Sequence, residues 1–180
     1  HINSNKYSAL MYASEQAVVS MPKATEQQLE EDTEELDGDE KTKVKAKAKE
    51  RLTSLDHLLR AGADTELVNR RGDTALIFAT RSNRAANVRT LIDIGKCNVN
   101  HQNDNGWTAL HYASKYNYQD TLICLLSAGA DLSLLTTNEH FSALHLAVMS
   151  NHIEIAKLLL QAKADPRQKS KDQQTILMMS

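Results

Sequence analysis

Tryptophan occurs once, cysteine twice and proline twice in this 180-residue chain, and aromatic residues make up only 4% of it. Each shortage removes a class of explanation. Cys97 and Cys124 stand far apart, without CxxC or Cys/His spacing, so neither a disulfide framework nor a zinc site organises the chain. Both are expected to be small apolar side chains in a reducing, intracellular and cytoplasmic setting. No apolar run approaches the roughly 20 residues needed to span a bilayer, so membrane insertion is not expected. A formal net charge of -2 supplies no basic excess to recruit nucleic acid or an anionic membrane. The chain opens on His1 and a polar stretch, which predicts no signal peptide and a fragment of a longer protein. Gly-rich phosphate loops, GxSxG and HExxH are all missing, and His57, His101, His140 and His152 show no metal-ligand spacing. The expected protein is therefore not an enzyme and carries no cofactor.

What the chain does have is internal repetition. Gly72-Asp73-Thr74-Ala75-Leu76 aligns with Gly106-Trp107-Thr108-Ala109-Leu110-His111-Tyr112-Ala113 and with Phe141-Ser142-Ala143-Leu144-His145-Leu146-Ala147. The leucines Leu76, Leu110, Leu144 and Leu177 follow one another at 34, 34 and 33 residues, counted from the numbering. A second ladder keeps the same register: Leu58 to Asp64, Leu91 to Gly95, Leu125 to Asp131 and Leu159 to Asp165. Two ladders in one period define a repeating unit of two short helices and an extended turn. In the third unit, Thr108 is placed to cap the first helix. Leu122, Ile123, Leu125 and Leu126 form an apolar stripe on the second, and Gly129 supplies the left-handed residue that ends it. Helices this short are marginal alone, so stacking on the neighbouring unit must bury the stripe.

The strings Gly-Trp-Thr-Ala-Leu-His-Tyr-Ala, Leu-Leu-Ser-Ala-Gly-Ala-Asp and Asn-His-Ile-Glu-Ile-Ala-Lys-Leu-Leu-Leu, with a period near 33, resemble the ankyrin repeat signature. The resemblance implies an all-α solenoid of paired antiparallel helices with β-turn fingers, about four repeats plus a truncated fifth. Repeat one covers 3-68, repeat two 69-102, repeat three 103-136 and repeat four 137-169, with a partial repeat five at 170-180. Repeat one departs from the pattern. Its first helix, Ser8 to Ser14, is separated from its second, around Leu52 to Ala61, by an insertion at about 17-50. A hidden extra repeat there would need Lys43 at a core leucine position and Pro22 inside a helix. The insertion has nine acidic and no basic residues from Glu26 to Glu40, then six basic and one acidic from Lys41 to Arg51. Such blocks are usually solvated. The competing reading is that the acidic block folds back on the basic one or docks a basic partner, although exposed ion pairs at about 0 to 1 kcal/mol each would not fix the loop.

The same resemblance assigns the Thr/Ser-x-x-His pattern at Thr108/His111 and Ser142/His145 to a hydrogen-bonded brace rather than to a catalytic hydroxyl and base; Ile77 and Met178 take the histidine position in repeats two and five. It also implies that function lies in protein binding, through a concave surface of fingers and first helices. Arg70, Arg71, Asp73, Arg81, Asp104, Asn105, Trp107, Lys115, Tyr116, Asn138, Phe141 and Met149 fall there. Trp107, Tyr116 and Phe141 are expected to form its aromatic centre, and Arg71, Arg81 and Lys115 a basic rim suited to a partner with acidic groups. Such a module either recruits a protein by itself or targets a larger enzyme, secreted effector or channel. Asn100, in the turn after the second helix of repeat two, resembles a substrate for asparaginyl hydroxylation in this family, against the plainer role of an asparagine that suits turn geometry.

Overall fold

The computed structural model describes residues 53–178. The helix expected over Ser8 to Ser14 and the insertion at about 17-50 lie outside these residues. Seven α-helices follow in order: α1 (Ser54–Arg60), α2 (Ala75–Arg81), α3 (Ala85–Asp93), α4 (Ala109–Lys115), α5 (Gln119–Ser127), α6 (Ala143–Met149) and α7 (Ile153–Gln161). A 3-10 turn at Ile176–Met178 closes the series, and an isolated bridge between Lys169 and Thr175 is the sole strand-type pairing among the described residues.

Each boundary has a local cause. The hydroxyls of Thr74, Thr108 and Ser142 accept from the backbone N–H three residues on, satisfying a donor that the first helical turn leaves open. Each first helix ends before an asparagine in the left-handed region, Asn83 (φ 53°), Asn117 (φ 60°) and Asn151 (φ 57°), a conformation that asparagine tolerates better than bulkier residues. The reversal is closed by N–H···O bonds from Arg84 to Ala79, Tyr118 to Ala113 and His152 to Ala147, at 3.0, 3.0 and 2.9 Å. Gly129 ends α5 at φ 80°, as the sequence predicts; Lys163 takes that position after α7 at φ 71°.

Helices α2, α4 and α6 pack in one row and α1, α3, α5 and α7 in a second, and α2, α4 and α6 each also pack on the second helix of their own repeat, α3, α5 and α7. Between the rows lie Leu55, Leu76, Leu91, Leu110, Leu122, Leu125, Leu144, Ile155 and Leu159, all buried. Four leucines of the two ladders depart from this, Leu58 among them as a half-buried residue of α1. Leu126 is only half-buried, Leu160 is 48% exposed and Leu177 is 83% exposed. Leu160 occupies the α7 position equivalent to Leu126 on α5. No described helix packs beyond α7 or the terminal turn, so apolar side chains that point along the stack meet solvent there. Ile176, rather than Leu177, is the buried residue of the last turn.

The two cysteines are free thiols. Cys97 is buried, and burial beside Glu66 pushes its pKa up to about 11, which leaves it protonated and unreactive. Cys124, half-buried on α5, accepts a hydrogen bond from Arg89 Nη2 at 3.5 Å.

Candidate protein-binding surface

The fingers are built by one hydrogen-bonding device used four times. Asn69 Oδ1 accepts from the backbone N–H of Arg71 (2.8 Å) and Asp73 (3.1 Å). Asn103 Oδ1 does the same for Asn105 (3.1 Å) and Trp107 (2.9 Å). In the next finger Thr136 Oγ1 accepts from Phe141 N–H at 3.0 Å, and in the last Ser170 Oγ accepts from Gln174 N–H at 3.3 Å. Thr136 thus plays the part of Asn103, which places it at the head of repeat four, one residue before the boundary set by the sequence period. Asparagine closes two turns because its amide oxygen reaches two donors.

A backbone ladder then joins finger to finger: Asp104 N–H donates to Arg71 O, Thr137 N–H to Asn105 O, and Lys171 N–H to Glu139 O, at 3.1, 3.0 and 3.0 Å. Gly106 shows why glycine sits in these turns. Its φ is +73°, and a Cβ there would stand 2.5 Å from Thr137 Oγ1 and 2.6 Å from Thr137 N. Asn100 supplies a further link between neighbouring repeats. Asn100 Oδ1 accepts from Asp131 N–H at 2.8 Å while Asn100 N–H donates to Asn98 Oδ1 at 3.0 Å, so this exposed asparagine both shapes its turn and ties it to the next repeat.

At the helix starts the Thr/Ser-x-x-His pairs are braces. Thr108 N–H donates to His111 Nδ1 at 3.1 Å, and a backbone N–H can only donate, so the ring hydrogen sits on Nε2. That nitrogen faces the carbonyls of Leu134 (3.1 Å) and Phe141 (3.2 Å) in the following finger. Burial drives the His111 pKa down to about 4, against smaller upward pulls from those carbonyls. His145 repeats the arrangement on Ser142, with Nδ1 accepting from Ser142 N–H at 3.2 Å; its Nε2 faces the carbonyls of Gln168 and Gln174 without closing a hydrogen bond. Its pKa is also lowered, chiefly by burial.

The residues expected at the binding surface divide into two groups. Arg71, Asp104, Asn105, Lys115, Tyr116 and Met149 are exposed, and Arg81, Trp107 and Phe141 are half-buried. Asp73 is fully buried, contrary to the expectation that it faces a partner. It accepts from Arg81 Nη1 (2.7 Å) and Asn103 Nδ2 (2.7 Å), because a buried carboxylate needs charge-assisted donors to offset its lost hydration. Arg81 is therefore already paired, and its guanidinium also lies over the Tyr112 ring at 5.5 Å. The basic rim is correspondingly smaller than Arg71, Arg81 and Lys115 together.

The aromatic centre also differs from the expected trio. Trp107 packs on Tyr112 with centroids 4.9 Å apart, Tyr112 stacks on Tyr116 at 6.5 Å, and Tyr116 on Tyr118 at 5.9 Å. Lys115 Nζ lies over both Trp107 (5.1 Å) and Tyr116 (5.7 Å). Phe141 stacks instead on His145 of its own repeat at 5.9 Å, and no ring pair among the described residues joins it to Trp107. Tyr112 is the residue that sequence reasoning missed as a surface component. Its half-buried ring joins Trp107 to Tyr116. Asn103 Nδ2 adds a hydrogen bond to Tyr112 Oη at 3.2 Å. Desolvation and the nearby Asp73 raise the Tyr112 pKa, so the phenol stays protonated.

Residues 44–136 match the family described as Ankyrin repeats (3 copies), and residues 139–171 match Ankyrin repeat. The chain belongs to the ankyrin repeat family, whose repeats generally serve as protein–protein interaction modules. It is 34% identical over 84 residues to alpha-latroinsectotoxin-Lt1a of Latrodectus tredecimguttatus, covering 46% of this chain and 6% of that protein. It is 47% identical over 51 residues to ankyrin repeat domain-containing protein 40 of Mus musculus, covering 28% and 14% respectively. It is 33% identical over 93 residues to SMC5-SMC6 complex localization factor protein 1 of Homo sapiens, covering 52% and 9%. The chain spans only a small part of the length of each of these relatives. No described helix is long and apolar enough to cross a membrane, and no three metal-binding side chains cluster among the described residues.

Proposed function

We infer that this chain is a non-catalytic binding module that holds a partner protein against the face formed by its fingers and first helices. One observation carries the reading. The run Trp107–Tyr112–Tyr116 leaves Tyr116 49% exposed beside an exposed Lys115, and the equivalent position of the next repeat presents Met149, 51% exposed. Aromatic and flexible apolar side chains set among a few charges are the usual material of an interface centre. The partner is one with acidic groups, and the setting is a reducing compartment in which Cys97 and Cys124 remain thiols. In a longer protein, the same surface would serve to target or regulate a part outside these repeats, a reading favoured by the small share of each relative that the chain matches. The test is retention of a partner by the full chain carrying Tyr116→Ala or Lys115→Glu, compared with Ile123→Ala on the exposed side of α5. Loss in the first two alone supports the reading; loss only with Ile123→Ala moves the interface to the second helices.

A further inference from the structure

The turns 81–84, 115–118 and 149–152 occupy equivalent places in successive repeats, each running from the last residue of a first helix to the N-cap of the second. None of them contains a carboxylate. Arg81 is neutralised from outside the turn by buried Asp73, but two cations have no carboxylate partner among the described residues. Arg84 is half-buried, with its Nε out of water and without a hydrogen bond. Lys115 is exposed, with its ammonium over the rings of Trp107 and Tyr116, and Tyr118 extends that platform by stacking on Tyr116 at 5.9 Å. The acidic residues just beyond these turns face other cations: Glu154 pairs with Lys157 at 2.8 Å, and Asp120 shares a cleft with Arg89.

The chain itself enters the stack at the end of this cationic, aromatic row. Thr53 is the N-cap of α1, the position that Arg84, Tyr118 and His152 hold for α3, α5 and α7, and α1 heads the row of second helices. Upstream of Thr53 runs the charged insertion, whose block 26–40 carries nine acidic residues and no basic one. Glu40 precedes Thr53 by 13 residues, counted from the numbering, which is up to about 43 Å of extended chain. Two packed helices span only about 20 Å, so both Arg84 and Lys115 are within reach with length to spare. The basic block 41–51 competes for the same carboxylates, but ion pairs between fully solvated side chains are weak. Arg84 and Lys115 have already given up part of their hydration to burial and to the rings, so a carboxylate interacts more strongly there. We propose that block 26–40 is an intramolecular occupant of this row, setting carboxylates on Arg84 and Lys115 and competing with the partner protein for the Lys115–Tyr116 part of the binding face. The proposal takes its site from the binding-face reading above and adds its regulation: a partner binds by displacing the block.

The test supplies the block in trans. A fluorescein-labelled peptide of residues 26–40 is titrated, by anisotropy, against the full chain and against a full chain in which the nine acidic residues of 26–40 are changed to their amides, Glu→Gln and Asp→Asn. A tethered block acts at an effective concentration in the millimolar range, so against a Kd near 0.1 mM it should weaken peptide binding to the parent about tenfold relative to the amide chain. In the amide chain, Lys115→Gln, a change at an exposed helix end, should weaken the peptide at least about fivefold, and raising salt from about 0.05 to 0.3 M should weaken it further. Equal affinities of parent and amide chains overturn the proposal, as does an amide chain that takes up no peptide to about 1 mM. Binding that is indifferent to Lys115→Gln but lost when the six basic residues of 41–51 are neutralised also overturns it, because the block then pairs with its own neighbour. Protection of the parent that appears only as chain concentration rises assigns the occupant to a second copy and overturns the intramolecular assignment. None of these outcomes touches the binding-face reading, which fails separately if the Tyr116→Ala chain still retains its partner.

Discussion

Arg81 Nη1 lies 2.7 Å from Asp73 Oδ2, joining the end of α2 to the finger that precedes it while Asn103 holds the other carboxylate oxygen from the next repeat. The carboxylate is buried and the guanidinium is partly open to solvent, so removing the acid leaves a cation that water can still reach. Asp73→Ala is expected to lower stability by about 1 to 3 kcal/mol, from the lost charge-assisted bonds and the one Asn103 N–H left without its partner. Urea denaturation followed by circular dichroism measures it. An unchanged midpoint would show that the pair is decorative.

The histidine braces predict a pH dependence. The folded-state pKa of His111 is depressed to about 4 from an ordinary 6.5, so the unfolded chain takes up a proton more readily than the folded one. Stability is then full above about pH 6.5 and declines as pH falls toward 4, by up to about 1.4 kcal/mol per pH unit from this group. Below that range its contribution levels off. His145 is shifted in the same direction. Thermal melts between pH 7 and pH 4 should show the slope, and His111→Gln should flatten part of it; identical slopes in the two proteins would contradict the assignment.

Two glycines separate conformational strain from crowding. Gly106 and Gly129 have φ of +73° and +80°, but only Gly106 is crowded, by Thr137; around Gly129 nothing lies within 4 Å of a built Cβ. Gly129→Ala should cost about 1 to 2 kcal/mol for the left-handed backbone alone. Gly106→Ala should cost clearly more, because the Asn105–Thr137 finger bond must also shift. Equal midpoints for the two variants would mean that the fingers yield freely.

The leucine ladders give a graded series. Leu110→Ala and Leu144→Ala remove fully buried side chains and should cost about 2 to 5 kcal/mol each. Leu160→Ala and Leu177→Ala, both largely exposed, should fall within about 0.5 kcal/mol of the parent. A large loss at Leu177 would mean that something covers the terminal turn in solution.

Periodicity made the solenoid legible because each repeat solves the same burial problem with the same residues: Thr or Ser at the cap, Leu four positions after the turn glycine in repeats two and three, Gly or a tolerated substitute at the helix end. It overstated burial where no neighbour follows, as at Leu160 and Leu177. It also placed Asp73 at the surface, since position 73 of the period holds Trp107 and Phe141 in the next repeats and nothing local marks one of the three as interior. The cause is nonlocal: Arg81 is eight residues away and Asn103 thirty, and only the folded stack brings them to one carboxylate. The Thr-x-x-His brace was readable from its recurrence, whereas the link from Trp107 through Tyr112 to Tyr116 depends on ring orientations that spacing does not encode.

The most direct test of a partner-binding face is the affinity of a captured partner for Tyr116→Ala, measured by calorimetry beside its melting temperature. Tyr116 is half-exposed at a helix end, so truncation should leave folding almost unchanged, whereas Trp107, packed on Tyr112, would confound binding with stability. The account predicts a loss of about 2 kcal/mol in binding, roughly thirtyfold in Kd, with a melting temperature near that of the parent. Unchanged affinity, with Tyr116→Ala folded as before, would contradict it.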